Sequence, residues 1–347
     1  MSRPLISWTE KGLYCADGDF YIDPHRAVKT AVVTHAHSDH ARRGCERYLC
    51  VSSSVGLLKS RLSQKINVTG IPYREVFKLG SVYVSFHSAG HILGSAQVRV
   101  QRGSEVWVAS GDYKRDPDPS CEPFESVSCD TFITEATFGT PKYAWPKDRD
   151  HGKDIHAWWM KNAALGMNSL LFGYSLGKAQ RILAEVAPYA HQPVIIHETI
   201  EELTECYRAE GRVLASTLEL NRYRPGSILK GELILAPPSV LKTAIVERLG
   251  RYQTAFASGW MQQSSNGTGV ANYGRNYDYG FVMSDHADWN DLNRTIEETG
   301  AKQVFVQHRD GALIQHLRRL GIDAHPSDML EDENYKRLAQ VNLSFHL

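Results

Sequence analysis

The chain has 347 residues, 42% hydrophobic and 22% charged, which is enough for a large core and more than one domain. Lys plus Arg and Asp plus Glu both total 39, so the formal net charge is zero and no global basic field draws the chain passively onto nucleic acid. No stretch approaches the roughly 18 uninterrupted apolar residues of a membrane span, the start Met1-Ser2-Arg3-Pro4 lacks the apolar core of a signal peptide, and the six cysteines show no CxxC spacing. A cytoplasmic protein without membrane contact, disulfide frame or cysteine metal site is expected.

The N-terminal part, to about residue 140, reads as short strands joined by turns: Leu13 to Ile22, Ala31 to Thr34, Val82 to His87, Ala96 to Arg102, Val106 to Ser110 and Thr131 to Thr134. From about 145 the pattern becomes strand then helix. Ser169 to Ser175 precedes a helix from Lys178 to Val186, Pro193 to Ile196 precedes one near Glu201 to Arg208, and Glu232 to Ala236 precedes one from Val240 to Leu249. Three such units predict a parallel sheet with flanking helices, a small Rossmann-like insert. The later strands Tyr252 to Ala257, Tyr279 to Met283 and Gln303 to Val306, with a helix from Asp310 to Leu320, are expected to return to the first layer. Gln262 to Gly269 reads as a polar loop near a cleft. There is no internal repeat, heptad or low-complexity tract.

The densest chemistry lies in Thr34-His35-Ala36-His37-Ser38-Asp39-His40, directly after the apolar strand Ala31-Val32-Val33. His35 and His37, two apart at a strand end, can offer their imidazoles to one cation. Asp39 and His40, carried on by a tight loop into a short helix at Ala41-Arg42-Arg43-Gly44, can face a second. Two neighbouring divalent ions polarise a phosphoryl or carbonyl oxygen and activate water at neutral pH. The run resembles the HxHxDH signature of the metallo-β-lactamase superfamily, which implies an αββα sandwich with its metals where the strands end.

Other strand ends carry further ligands. His91, in Ser88-Ala89-Gly90-His91-Ile92-Leu93-Gly94-Ser95, is assigned to the first cation, and Asp112, in Ser110-Gly111-Asp112-Tyr113, can bridge both through its two oxygens. His308, after Val304-Phe305-Val306-Gln307, is assigned to the second cation, and Asp23 is placed to hydrogen-bond a ligand imidazole. Proton transfer falls to His286, in Ser284-Asp285-His286-Ala287-Asp288, as general acid, with Glu135, in Thr134-Glu135-Ala136-Thr137-Phe138-Gly139, as its orienter. Gly173-Tyr174-Ser175-Leu176-Gly177-Lys178-Ala179-Gln180 is not a Walker loop, but its glycine turn opens a helix, so Ser175, Gly177 and Lys178 are phosphate-contact candidates or a packing turn. Lys114, Arg115, Trp145, Trp158 and Trp159 read equally as nucleic-acid contacts or as core.

Taken in order over residues 10 to 325, HAHSDH, SAGHILGSA, SGDY, TEATFG, the insert opening with GYSLGKAQ, SDHAD and His308 resemble the β-CASP branch of metallo-β-lactamase-fold nucleases. The resemblance implies an α/β fold: residues 1–144 and 256–347 form the αββα metallo-β-lactamase domain, with residues 145–255 as the inserted Rossmann-like β-CASP domain. It also implies two divalent metals, zinc or manganese. One is held by His35, His37 and His91, the other by Asp39, His40 and His308, with Asp112 bridging. The activity implied is phosphodiester hydrolysis, most similar to compact bacterial DNA exonucleases found with DNA ligase and helicase genes, acting 5′ to 3′ on single-stranded DNA in repair. His308 is shared with the RNA-processing members, so ribonuclease action stays open. A small-molecule hydrolase and a metal-free scaffold are the readings that the insert and the full ligand set oppose.

Overall fold

The computed structural model describes residues 3–222, 228–243, 247, 249–263, 270–272, 275–307 and 311–330. They form two compact units, one drawn from residues 1–115, 123–142 and 287–347 and the other from 116–122 and 143–286. Among the described residues no helix is long and apolar enough to cross a membrane, and no disulfide joins the cysteines.

In the first unit, β1 (Ser7–Thr9), β2 (Gly12–Cys15), β3 (Phe20–Ile22), β4 (Thr30–Val32), β5 (Arg47–Val51) and β6 (Val68–Ile71) form one six-stranded sheet in sequential order, with α1 (Val55–Arg61) between β5 and β6. Pairing is antiparallel as far as β3 and parallel from β3 to β6. The segment from Leu13 to Ile22, expected as one strand, is a hairpin, because the chain turns between Cys15 and Phe20.

The second sheet of this unit contains β7 (Phe77–Leu79), β8 (Val82–Ser88), β9 (Ala96–Arg102), β10 (Glu105–Ala109) and β11 (Thr131–Thr134). Two strands from the chain's far end complete it in the order β21-β20-β11-β10-β9-β8-β7. In the chain's own order α2 (His151–Ala164), β12 (Asn168–Phe172), α3 (Lys178–Val186), β13 (Val194–Ile196), α4 (Glu198–Ala209), β14 (Thr217–Glu219), β15 (Leu233–Ala236), β16 (Tyr252–Ala257), β17 (Val270–Asn272), β18 (Arg275–Tyr277) and β19 (Tyr279–Phe281) intervene. Then come α5 (Trp289–Thr299), β20 (Gln303–Val306), α6 (Gly311–Arg319) and β21 (Asp323–Pro326).

The apolar runs of β10, β11 and β20 follow from burial on both faces. Trp107, Ala109, Ile133 and Phe305 point into the core shared with the first sheet, beside Phe20, Ile22 and Val32. Their neighbours Val108, Phe132, Val304 and Val306 pack instead on Leu292 and Ile296 of α5 and on Leu313 and Leu317 of α6. Each Val, Leu, Ile or Phe among them, taken out of water, contributes about 1.5–3 kcal/mol.

The second unit is built on an all-parallel sheet in the order β14-β13-β15-β12-β16-β19, with the separate hairpin β17-β18. Helices α2, α3 and α4 cover one face through Ile155, Trp159, Ile182, Leu183 and Ile200. Two expectations fail here. The strands at Tyr252–Ala257 and Tyr279–Phe281 do not return to the first layer but extend this sheet, since Ala255, Ala257 and Phe281 complete the apolar face under its helices. In place of an α-helix from Val240 there is a 3-10 turn, Pro238–Lys242, which begins at a proline and stops where Thr243 becomes extended.

Helices α2 and α3 approach closely at Gly152, where a Cβ would stand 1.9 Å from the Glu185 carbonyl oxygen. Gly152→Ala gains about 1 kcal/mol of helix propensity, but the forced separation of two packed helices costs about 1–3 kcal/mol. Guanidinium unfolding is expected to show net destabilisation. The adjoining His151 has its pKa lowered to about 4, first by burial and then by Arg181 and Lys178. A folded-state pKa below the unfolded value means that the unfolded chain alone takes up the proton as pH falls from about 6.5 to 4. Stability therefore drops by up to about 3 kcal/mol in that window, and His151→Gln is expected to remove that part of the loss in urea titrations.

Candidate metal centre

Where β4 ends, the chain leaves the first sheet as a turn rather than a helix. The amides of His40 and Ala41 both donate to the His37 carbonyl, and no helix forms at Ala41 to Gly44, where Gly44 lies at φ 91°. This turn places His35 and His37 against the loop between β8 and β9 and the segment after β10, all within the first unit.

Donor atoms of His35, His37, His91 and Asp112 lie within 4.8 Å of one another. His35 Nε2 and His91 Nε2 stand 3.0 and 3.1 Å from His37 Nδ1, and 3.6 and 3.7 Å from Asp112 Oδ2. The three imidazoles are mutually edge-on, with interplanar angles of 82–83°. Four ligands held about 2.0–2.1 Å from a tetrahedral zinc ion would be about 3.3–3.4 Å apart. The donor set fits a divalent cation in spacing and in chemistry, with three nitrogen lone pairs and one carboxylate.

Supporting groups fix the tautomers. His35 Nδ1 is 3.0 Å from the Thr34 hydroxyl, which donates to Asp23 Oδ2 at 2.5 Å, while the Thr34 amide donates to Asp23 Oδ1 at 2.8 Å. With Nδ1 engaged, Nε2 of His35 is left to face the cluster. Asp23 also accepts from His40 Nδ1 at 2.7 Å, the contact expected of it, and holds a left-handed backbone at φ 45°. His40 Nε2 then points to Asp112 Oδ2 at 3.4 Å and Asp39 Oδ2 at 3.8 Å. Room for Thr34 comes from Gly111, at φ 57°, whose Cβ would stand 2.7 Å from that of Thr34.

Burial, and then the charge of His40, hold the His35 pKa well below the usual value, so it stays neutral. Burial pushes His40 the same way, but the carboxylates of Asp112 and Asp23 outweigh it and raise its pKa well above the ordinary range. A cavity of about 220 Å³ opens beside this half of the cluster, lined by Asp23, His25, Asp39, His40 and Arg42 among others.

Sequence reasoning missed Thr34, Ser95 and Arg61. The Ser95 hydroxyl accepts the amides of His91 and Ile92, fixing the loop that carries His91. Arg61, the last residue of α1, donates to the Ala36 carbonyl between the two motif histidines. The serine stands inside a motif already singled out; nothing in the sequence near Arg61 marks its role.

Glu135 is fully buried and accepts the Tyr113 amide at 2.6 Å. His286, half-buried at the end of the second unit, donates its amide to the Ser284 hydroxyl, which in turn donates to the His286 carbonyl. His308 lies outside the described residues. Of the candidate phosphate contacts, Ser175 pairs its hydroxyl with Thr199 at 3.0 Å, and the Gly177 amide donates to Gln180 Oε1 at 2.8 Å. Lys178 does not face outward from the helix start: it is 2% exposed, with its ammonium 2.7 Å from Asp285 Oδ1. Trp158 and Trp159 belong to the core of the second unit, and Trp145 is buried too. Lys114 is 1% exposed, and Arg115 is engaged by Glu298 at 2.8 and 3.1 Å.

The carboxylates that raise the His40 pKa favour its protonated form, and a cation bound there would displace that proton. Titrating metal-free protein with zinc or manganese in buffers of different ionisation enthalpy is expected to show proton release, with affinity rising from pH 6 to 8. Asp23→Ala, which frees the His40 ring, is expected to weaken that affinity about 10–100-fold.

A scan against protein-family models matches none. The chain is 31% identical over 316 residues to a probable DNA ligase of Opitutus terrae (strain DSM 11246 / JCM 15787 / PB90-1), covering 90% of this chain and 30% of that protein. It is 28% identical over 146 residues to RNase aCSPSF2 of Saccharolobus solfataricus (strain ATCC 35092 / DSM 1617 / JCM 11322 / P2), covering 40% of this chain and 29% of that protein. The chain thus spans under a third of the length of either relative. Among solved structures, a protein of unknown function from Enterococcus faecalis V583 shares the fold, at 13% identity and a TM-score of 0.50, over 80% of this chain and 74% of that one. Motif order and curated relatives agree on one lineage: the chain is similar to nucleases of the β-CASP metallo-β-lactamase family.

Proposed function

We propose that this chain is a metal-dependent phosphodiesterase acting as a DNA exonuclease, 5′ to 3′ on single strands, leaving 5′-phosphates, in a cytoplasmic repair pathway with a DNA ligase and a helicase. The observation that carries the hydrolytic reading is the meeting of three edge-on imidazoles with Asp112 at 3.0–3.7 Å. The first unit is then the αββα metallo-β-lactamase sandwich and the second the inserted β-CASP domain. His35, His37 and His91 would hold one divalent ion, Asp39, His40 and His308 the other, with Asp112 shared. Zinc and manganese both suit such donors. When bound, the two ions supply Lewis acidity to the scissile phosphoryl group and lower the pKa of water.

The chain's own residues do the rest. Asp23 and Thr34 keep the imidazoles in fixed tautomers, so no reorganisation is needed as charge develops. As water adds to phosphorus and the 3′-oxygen leaves, His286 donates the proton that oxygen takes up, with Glu135 orienting it. Likeness to the Opitutus terrae protein across 90% of this chain favours DNA. Likeness to RNase aCSPSF2 supports the second reading, an RNA-processing nuclease.

The test uses 5′-phosphorylated single-stranded DNA and the matching RNA with manganese or zinc. Stepwise loss of DNA alone is expected, abolished in Asp112→Ala and reduced about 10²–10⁴-fold in His286→Ala. Cleavage of RNA alone would replace the DNA reading with the processing one, and an inert wild type would sink both.

A further inference from the structure

We propose that Lys178 and Arg181 of α3 are positioning residues for His286, acting through the backbone that carries it; this rests on the reading of His286 as the proton donor. Both side chains are buried, at 2% and 3% exposure, and they stand three apart on one side of the helix. Lys178 Nζ donates to the Met283 carbonyl at 2.5 Å and to Asp285 Oδ1 at 2.7 Å. Arg181 Nη1 donates to the Ser284 carbonyl and lies 3.3 Å from Asp285 Oδ1. Two cations thus grip three consecutive residues, and the next residue is His286.

The clamp is locked from behind. Arg181 Nε sits 3.6 Å from Asp118 Oδ2 and 3.5 Å from Glu185 Oε1, ion-pair distances that hold the guanidinium from its other side. At the other end the Ser284 hydroxyl accepts the His286 amide and donates to the His286 carbonyl. Residues 283–286 therefore have carbonyls, a carboxylate and an amide all tied, although no helix or strand contains them. A largely buried ion cluster is a poor stabiliser compared with apolar packing of the same volume, and its better-attested use is to specify one arrangement. Here the arrangement specified is the path of the chain into His286. Catalysis by a proton donor is steep in position, since a displacement of about 1 Å can lower the rate about 10²-fold. Fixing the donor's backbone also requires no contact with substrate, so substrate binding should be indifferent to the clamp.

The test uses the full chain and the single-stranded substrate that it cleaves. Lys178→Met is expected to lower kcat about 10–100-fold with KM within about two-fold, and Lys178→Arg to restore most of the rate. Hydrogen exchange in 283–288 should accelerate in Lys178→Met while α4 stays protected. Added to His286→Ala, Lys178→Met should cause no further loss, because both act through one group. If Lys178→Met does not fold, Asp285→Asn, which keeps the shape but weakens both ion pairs, should give a smaller fall in kcat with the same exchange signature. A loss confined to melting temperature, a rise in KM alone, or losses that add to those of His286→Ala would each overturn the proposal. Wild-type rates in His286→Ala would instead remove the reading beneath it, and unchanged exchange in 283–288 would remove the clamp itself.

Discussion

The two sheets of the first unit meet at Thr34, and the candidate metal centre exists because of how that one residue is bonded. Its carbonyl accepts the Ala96 amide at the start of β9, tying the sheets together beside His91's loop. Its amide and hydroxyl both go to Asp23, and the same hydroxyl contacts the rings of His35 and His40. Bonded on all sides, Thr34 cannot rotate, and the imidazoles it braces cannot change tautomer independently. A Cβ at residue 111 would push it out of place. The geometry is thus a property of a buried joint between layers rather than of the motif histidines alone.

Most of this joint can be read from the sequence, but not all of it. His35, His37, His91 and Asp112 stand at strand ends, where a sheet's loops converge, so their residue types and positions were enough to group them. The short strands at Ala96–Arg102, Thr131–Thr134 and Gln303–Val306 and helix α3 match in their limits, because alternation and amphipathic spacing are local signals. Sheet membership is not local. Tyr252–Ala257 has the same composition whichever sheet it joins, and only pairing with β12 decides. The burial of Lys178, a phosphate-contact candidate, escaped the sequence for a related reason. A lysine opening a helix reads as exposed unless a carboxylate 107 residues away is known to meet it.

The two units treat buried charge in opposite ways. In the second, Lys178 and Arg181 stand against Asp285, Asp118 and Glu185, so charges of both signs meet directly. In the first, Asp112 and Asp23 have His40 as their neighbouring cation, and the other three imidazoles crowd their nitrogens together. Lone pairs packed this tightly repel each other unless something positive lies between them. One cluster holds a shape through its own ion pairs; the other gathers the donor set of a candidate divalent-cation site.

β11 pairs in parallel with β20, Thr131 beside Gln303, although the whole parallel sheet of the second unit separates them in the chain. During synthesis the edge of β11 must wait for about 170 further residues, or roughly 10–30 s at ribosomal speed. An apolar strand edge left open that long invites pairing with another nascent chain. The loop-closure cost of such a separation grows only slowly with its length, so the pairing is limited less by entropy than by waiting: completion of the first unit's sheet is tied to synthesis of the whole second unit.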